Sequence, residues 1–142
     1  MRTLDRFIDI QKENYSRAFG EIKSGKKMSH WMWYIFPQID GLVMNPSFNS
    51  SWYSIQNNKE ALDFYNHPIL GNRLREITRE LLNLNNNNIE SILGHIDSLK
   101  LKSCMTLFDA VTEESINLFA EVLDKYFSGS RDQKTLNILE IY

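Results

Sequence analysis

The 142-residue chain has one cysteine, three prolines, six glycines and three histidines. A single Cys104 forms no intrachain disulfide, so a disulfide-stapled extracellular scaffold is excluded. His30, His67 and His95 lie far apart and have one cysteine to help them, which is not the close ligand spacing of a common zinc site; no metal or cofactor is expected. Missing too is any long apolar run: the most hydrophobic stretch, SHWMWYIFPQ at 29–38, is half the roughly 20 residues a membrane helix requires. Charge of one sign is also scarce. Sixteen basic and 18 acidic residues give a formal charge of -2, which provides no global field for bulk nucleic-acid binding or an anionic membrane. The opening MRTLDRFIDIQKE carries acids where a secretion signal needs an unbroken apolar core, and a cytoplasmic location is the expectation.

What remains is a chain that is 42% hydrophobic, enough for one sizeable core over residues 1–142. Leu4, Phe7, Ile8, Tyr15, Phe19 and Ile22 recur at helical spacing, and Gly25 follows as a left-handed stop, so a long amphipathic helix is predicted. Residues 29–36 suit either a helix capped by Ser29 or a strand, and residues 37–46 read as irregular. Asn58 is expected to cap a short helix over KEALDFY, with His67 and Pro68 opening another that carries Leu70, Leu74, Ile77 and Leu81. After an asparagine-rich loop come IESIL, a helix capped by Asp97 through Phe108, one capped by Thr112 and a last one started by Asp132. For residues 98–102 a brief strand is the alternative, because Leu99 to Lys102 alternate. The predicted fold is mainly α, a compact single domain of several helices with a short irregular or extended segment around 31–46.

Few catalytic motifs survive inspection. Gly20, Gly25 and Lys26 approximate a phosphate-binding loop, but Lys27 stands where the magnesium-binding hydroxyl belongs and a helix precedes it instead of a strand. No strand-turn-helix elbow presents Ser29, Ser103 or Cys104 as a nucleophile. A more distinctive constellation joins KSGKK (23–27), SHWMW and DSLKLKSCMTLF (97–108). On a helix Lys100 and Ser103 share a face, placing a cation and a hydroxyl together, while Leu101, Cys104 and Phe108 face the core. His30 and the indoles of Trp31 and Trp33 would complete a pocket for a phosphate-bearing or planar ligand. The competing reading is packing: tryptophans are mostly buried for volume, and Lys26, Lys27, Lys100 and Lys102 are then solvated.

These blocks, together with NNKEALDFYNHPILGNRLREIT and KYFSGSRDQKTLNIL, resemble the bacterial domain-of-unknown-function family numbered 1810, some members of which carry a calpastatin label. The resemblance runs through almost the whole chain and matches Glu21, Gly25, Lys27, Ser29, His30, Trp31, Trp33, Pro37 and Gln38, then His67, Gly71 and Arg75, then Asp97, Lys100, Ser103 and Thr106. Lys102 stands where arginine is common in the family, and lysine lacks the planar fork of a guanidinium. The resemblance implies a helical cytosolic domain. A shared motif of polar heads among tryptophans implies a site, because a core needs apolar volume and not those heads. KEALDFYNHPILGNRLREIT is also similar in layout to a stretch of ADP-ribose-processing proteins related to riboflavin-pathway N-glycosidases.

The expected function is binding, with hydrolysis or glycosidic cleavage as the enzymatic form, of a nucleotide-like molecule of the ADP-ribose or NAD type. Lys27, Ser29, Trp31, Trp33, Gln38, Lys100, Ser103 and Thr106 would hold it, and Glu21 and His30 would handle a proton. The alternative is a noncatalytic interaction domain, monomer or homodimer, whose segment 29–38 docks a partner.

Overall fold

The protein, described by a computed structural model over residues 2–114 and 116–140, is built from α-helices. In chain order they are α1 (Asp5–Ser24), α2 (Met32–Ile35), α3 (Phe48–Trp52), α4 (Asn58–Asn66), α5 (Leu70–Asn83), α6 (Ile89–Leu93), α7 (His95–Val111), α8 (Leu118–Phe127) and α9 (Gln133–Ile138). Extended pairing among the described residues is confined to one parallel bridge between Ile39 and Ile55. No described helix is long and apolar enough to cross a membrane.

Helix α7 sits at the centre. Leu101 and the run from Ser103 to Phe108 are all buried, so the middle of this helix is covered on every side, while its first turn stays open; its neighbours are α4, α6, α8 and α9. Its apolar side chains form one core with Phe7 and Ile22 of α1, Phe64 of α4, Leu74 and Ile77 of α5 and Phe119 of α8. Helix α1 packs on α2 and α5, which brings the end of α1 beside the aromatic segment.

Several boundaries follow their sequence signals. Gly25 adopts φ 85° and closes α1, Asn88 accepts from the Glu90 and Ser91 amides to start α6, and Asp132 accepts from Thr135 N–H to start α9. Residues 98–102 are helical.

Three caps shift. Asn57 and not Asn58 caps α4, accepting from Glu60 N–H at 2.9 Å. Asn117 and not Thr112 caps α8, leaving Thr112 at the end of α7 and Ile116 83% exposed. Helix α7 begins two residues before Asp97, so Asp97 caps nothing. His67 ends α4 and its Nδ1 accepts from the Ile69 and Leu70 amides, which starts α5 after Pro68. The passage 37–46 is irregular as expected, and it ends where Ser47 caps α3 by accepting from Ser50 N–H.

A buried guanidinium fastens this passage. Arg6, 6% exposed, donates to the Glu60 carboxylate at 2.6 and 3.1 Å and to the carbonyls of Thr3, Trp52 and Ser54, each at 2.7 Å. It ties α1 to both ends of the loop between α3 and α4.

Candidate functional site

The last turn of α1 organises the aromatic segment. Beyond Gly25 the chain turns back over Glu21, whose carboxylate accepts from Met28 N–H (2.6 Å), Ser29 N–H (2.9 Å), Ser29 Oγ–H (2.6 Å) and the Trp31 indole N–H (2.9 Å). Desolvation pushes this carboxyl up, but the bonds from the Ser29 hydroxyl, the Met28 amide, the Trp31 indole and the Ser29 amide outweigh it and hold the pKa down at about 2. The structure places Glu21, the expected proton carrier, under four donors as the clamp of this loop, and it does not line the cleft formed by Lys27 and Lys100. Ser29 is a donor to this clamp, and the Lys27 amide pins the same loop to the Ile92 carbonyl at 2.8 Å.

The clamp sends the tryptophans in different directions. Trp31 is 2% exposed and belongs to the core, whereas Trp33 on α2 is only half-buried. Tyr34, Ile35 and Phe36 are buried, and the buried Gln11 amide donates to the Tyr34 carbonyl at 2.8 Å, satisfying the end of this one-turn helix. The residual exposure of 29–38 therefore falls on Ser29, His30, Trp33 and Gln38.

Opposite stands the first turn of α7. Asp97 Oδ2 pairs with Lys27 Nζ at 2.9 Å and its Oδ1 with Lys100 Nζ at 3.2 Å. Each ammonium also lies over an indole, Lys27 at 5.1 Å from Trp31 and Lys100 at 4.0 Å from Trp33. With His30 and Asn49 these groups line a cleft of about 290 Å³. Two cations against one carboxylate leave the cleft one net positive charge. Asp97 was missing from the predicted ligand-binding set, although its i,i+3 spacing to Lys100 signals the pair.

Other predicted site residues go elsewhere. Ser103 Oγ donates to the Leu99 carbonyl and to Asp132 Oδ2, both at 3.2 Å. Thr106, fully buried, donates to the Lys102 carbonyl at 2.8 Å and accepts from Asp132 N–H at 2.9 Å. Both hydroxyls lash α9 to α7, and neither lines the lysine cleft. Gln38 is half-buried on the far side of Trp33, in a neighbouring groove. Burial pushes the Cys104 thiol well up, so it is a core side chain and not a nucleophile. The described residues hold no cluster of three metal-ligating side chains.

Chemically the cleft can bind an anion, with an aromatic wall for a planar group and an imidazole at its rim. No curated protein matches the chain. Its fold is similar to the crystal structure of the conserved hypothetical protein Rv1873 from Mycobacterium tuberculosis, with 37% identity, a TM-score of 0.91 and coverage of 98% of this chain and 97% of that one. The family model described as protein of unknown function, DUF1810, matches residues 1–139, and this chain belongs to that family.

Proposed function

We propose that the cleft between the Lys27 loop, α2 and the first turn of α7 binds a phosphate-bearing, nucleotide-like small molecule. The observation that carries this reading is the sharing of Asp97 by Lys27 and Lys100: two ammonium groups held on tryptophan faces have one counter-charge between them. An incoming phosphate supplies the second and meets cations already fixed in place, so little side-chain entropy is lost on binding. Lys100, with 21% of its side chain exposed, is the reachable one; Lys27, at 9%, acts from behind Asp97.

Glycosidic cleavage of an ADP-ribose-like nucleotide is the enzymatic form of this reading. Its proton chemistry falls to Asp97 and His30, the titratable groups other than lysine and tyrosine that line the cleft. The lone, buried cysteine suits a reducing compartment, and we assign the protein to the cytoplasm.

The docking alternative rests on Ser29, His30, Trp33 and Gln38, because Trp31, Met32, Ile35 and Phe36 are each at most 3% exposed.

Thermal shift against NAD, ADP-ribose, AMP and inorganic phosphate tests the reading. A ligand at about 100 times its Kd adds about 2.7 kcal/mol and raises Tm by several degrees. The rise should be dose-dependent and absent in Lys100→Ala. A flat panel with a cooperative melt would remove the binding reading altogether.

A further inference from the structure

The wall of the phosphate cleft also faces a second chamber. Trp33 and Lys100 line an adjoining groove of about 300 Å³, whose sides are Leu42 and Val43 from the loop after Gly41 and Ile96 and Leu99 from the start of α7. These walls are apolar and open, with Ile96 68% and Leu99 53% exposed. One wall pair comes from a loop and the other from a helix, with a slot between them that runs on from the charged cleft.

The polar groups in this groove differ in what they are free to do. Ser103 Oγ is committed to the Leu99 carbonyl and to Asp132, and the Asp132 carboxylate also takes the Thr135 amide and hydroxyl. Gln38 is fixed by its backbone, its carbonyl accepting from Ile55 N–H at 2.8 Å, while its side-chain amide has no hydrogen-bond partner among the described residues. It faces both the groove and a smaller hollow of about 110 Å³ that shares Trp33.

We infer that the groove is the base pocket of the same ligand: a purine ring lies between the aliphatic walls, the Gln38 amide reads its edge, and its phosphate reaches Lys100 across Trp33. The inference rests on the proposed reading of the cleft. A simple alkyl arm fits less well, because covering the Gln38 amide with methylenes strips its water and returns no hydrogen bond. A heteroaromatic ring offers apolar faces and a polar edge together. The amide donates through Nε2 and accepts through Oε1, which complements the N7 acceptor and N6 donor of adenine. Guanine presents two acceptors at that edge, N7 and O6, and leaves the Gln38 oxygen unmatched.

Calorimetric titration of AMP, GMP and ribose 5-phosphate into the whole protein separates the two readings. Wild type should bind AMP about tenfold or more tighter than ribose 5-phosphate and about tenfold tighter than GMP. Gln38→Leu should bring AMP and GMP within about twofold and leave ribose 5-phosphate unchanged. Leu99→Ala, which shortens an exposed wall side chain without changing the charge beside Lys100, should weaken AMP and not ribose 5-phosphate. Equal affinities for all three ligands in wild type would overturn the base pocket and leave the phosphate cleft standing. An AMP preference that survives Gln38→Leu would also overturn it, by moving the reader elsewhere. If none of the three binds, the cleft reading fails and the base pocket with it.

Discussion

The Lys100 ammonium lies 4.0 Å from the centre of the Trp33 ring, and Lys27 repeats the arrangement on Trp31 at 5.1 Å. The two lysines come from opposite sides of the site, Lys27 from the loop after α1 and Lys100 from α7, and Asp97 joins them. A surface lysine usually moves through many rotamers; an indole face and a carboxylate hold these two. The cleft is therefore arranged before any ligand arrives, and Asp97 is both its brace and its competitor for the cations.

That double role gives Asp97→Asn an uncommon signature. Removing the negative charge raises the cleft from one net positive charge to two, so phosphate and AMP should bind several-fold tighter, with the gain lost in about 0.5 M salt. Stability should fall at the same time by about 1–3 kcal/mol, since the nearly buried Lys27 loses its partner. Titration calorimetry and urea melts read the two effects separately. Weaker binding in this variant would instead mean that Asp97 touches the ligand.

Gly71 carries a packing constraint between α4 and α5. A Cβ at this position would overlap the Tyr65 backbone carbonyl, and backbone cannot swing aside as a flexible side chain can. Gly71→Ala should destabilise the protein by about 1–3 kcal/mol despite the better helix propensity of alanine. A denaturant melt unchanged from wild type would show that the two helices can separate at little cost.

Arg6 supports more groups than its partner Glu60. Arg6→Ala should cost about 3–5 kcal/mol, because it leaves a half-buried carboxylate and three backbone carbonyls without their donor. The double variant Arg6→Met with Glu60→Leu removes both charges, which at an isolated buried pair is often neutral. Here it should remain clearly destabilised, since the Thr3, Trp52 and Ser54 carbonyls still lack a donor. Recovery to wild-type stability in a chemical melt would mean water replaces the guanidinium at those carbonyls.

How far the sequence predicts this architecture depends on the range of the deciding interaction. Helix α1 and its Gly25 stop, the Asn88 and Asp132 caps and the inward row Leu101, Cys104 and Phe108 follow from period and local chemistry, and all are present. Where Asn, Ser or Thr crowd a helix start, local chemistry offers several caps and packing chooses, which is why Asn57 and Asn117 replace Asn58 and Thr112. Helix α3 is hard to read in the sequence because it is one turn long: its signals are only Phe48 and Trp52 four residues apart and Ser47 after Pro46 as the cap. In the site, Lys27, Lys100, Trp33 and His30 meet as expected, and Asp97 joins them because α7 starts early enough to free it from capping. Ser103 and Thr106 went astray for a different reason: their partner, Asp132, is 29 and 26 residues away, and no spacing rule reaches that far.

Glu21 links the site to acid stability. Its folded carboxyl titrates at about 2, below the ordinary 4.5, so its stabilising bonds are fully present above pH ~4.5 and are lost as pH falls towards 2. Glu60, lowered against desolvation by hydrogen bonds from Arg6 and Gln56, acts in the same direction. Wild-type Tm should therefore drop through this acid window. Glu21→Gln should lose about 1–3 kcal/mol at pH 7, because a neutral amide accepts through one oxygen only and turns a second donor towards the Ser29 hydroxyl. Its melting temperature should then change less than that of wild type between pH 4.5 and 2, the remaining slope belonging to Glu60 and other carboxylates. The same variant loosens the loop that carries Lys27, so its phosphate affinity should fall although residue 21 lines no part of the cleft. Melts across the acid range that run parallel for the two proteins would mean that Glu21 is not held ionised by these donors, and the loop would need another anchor.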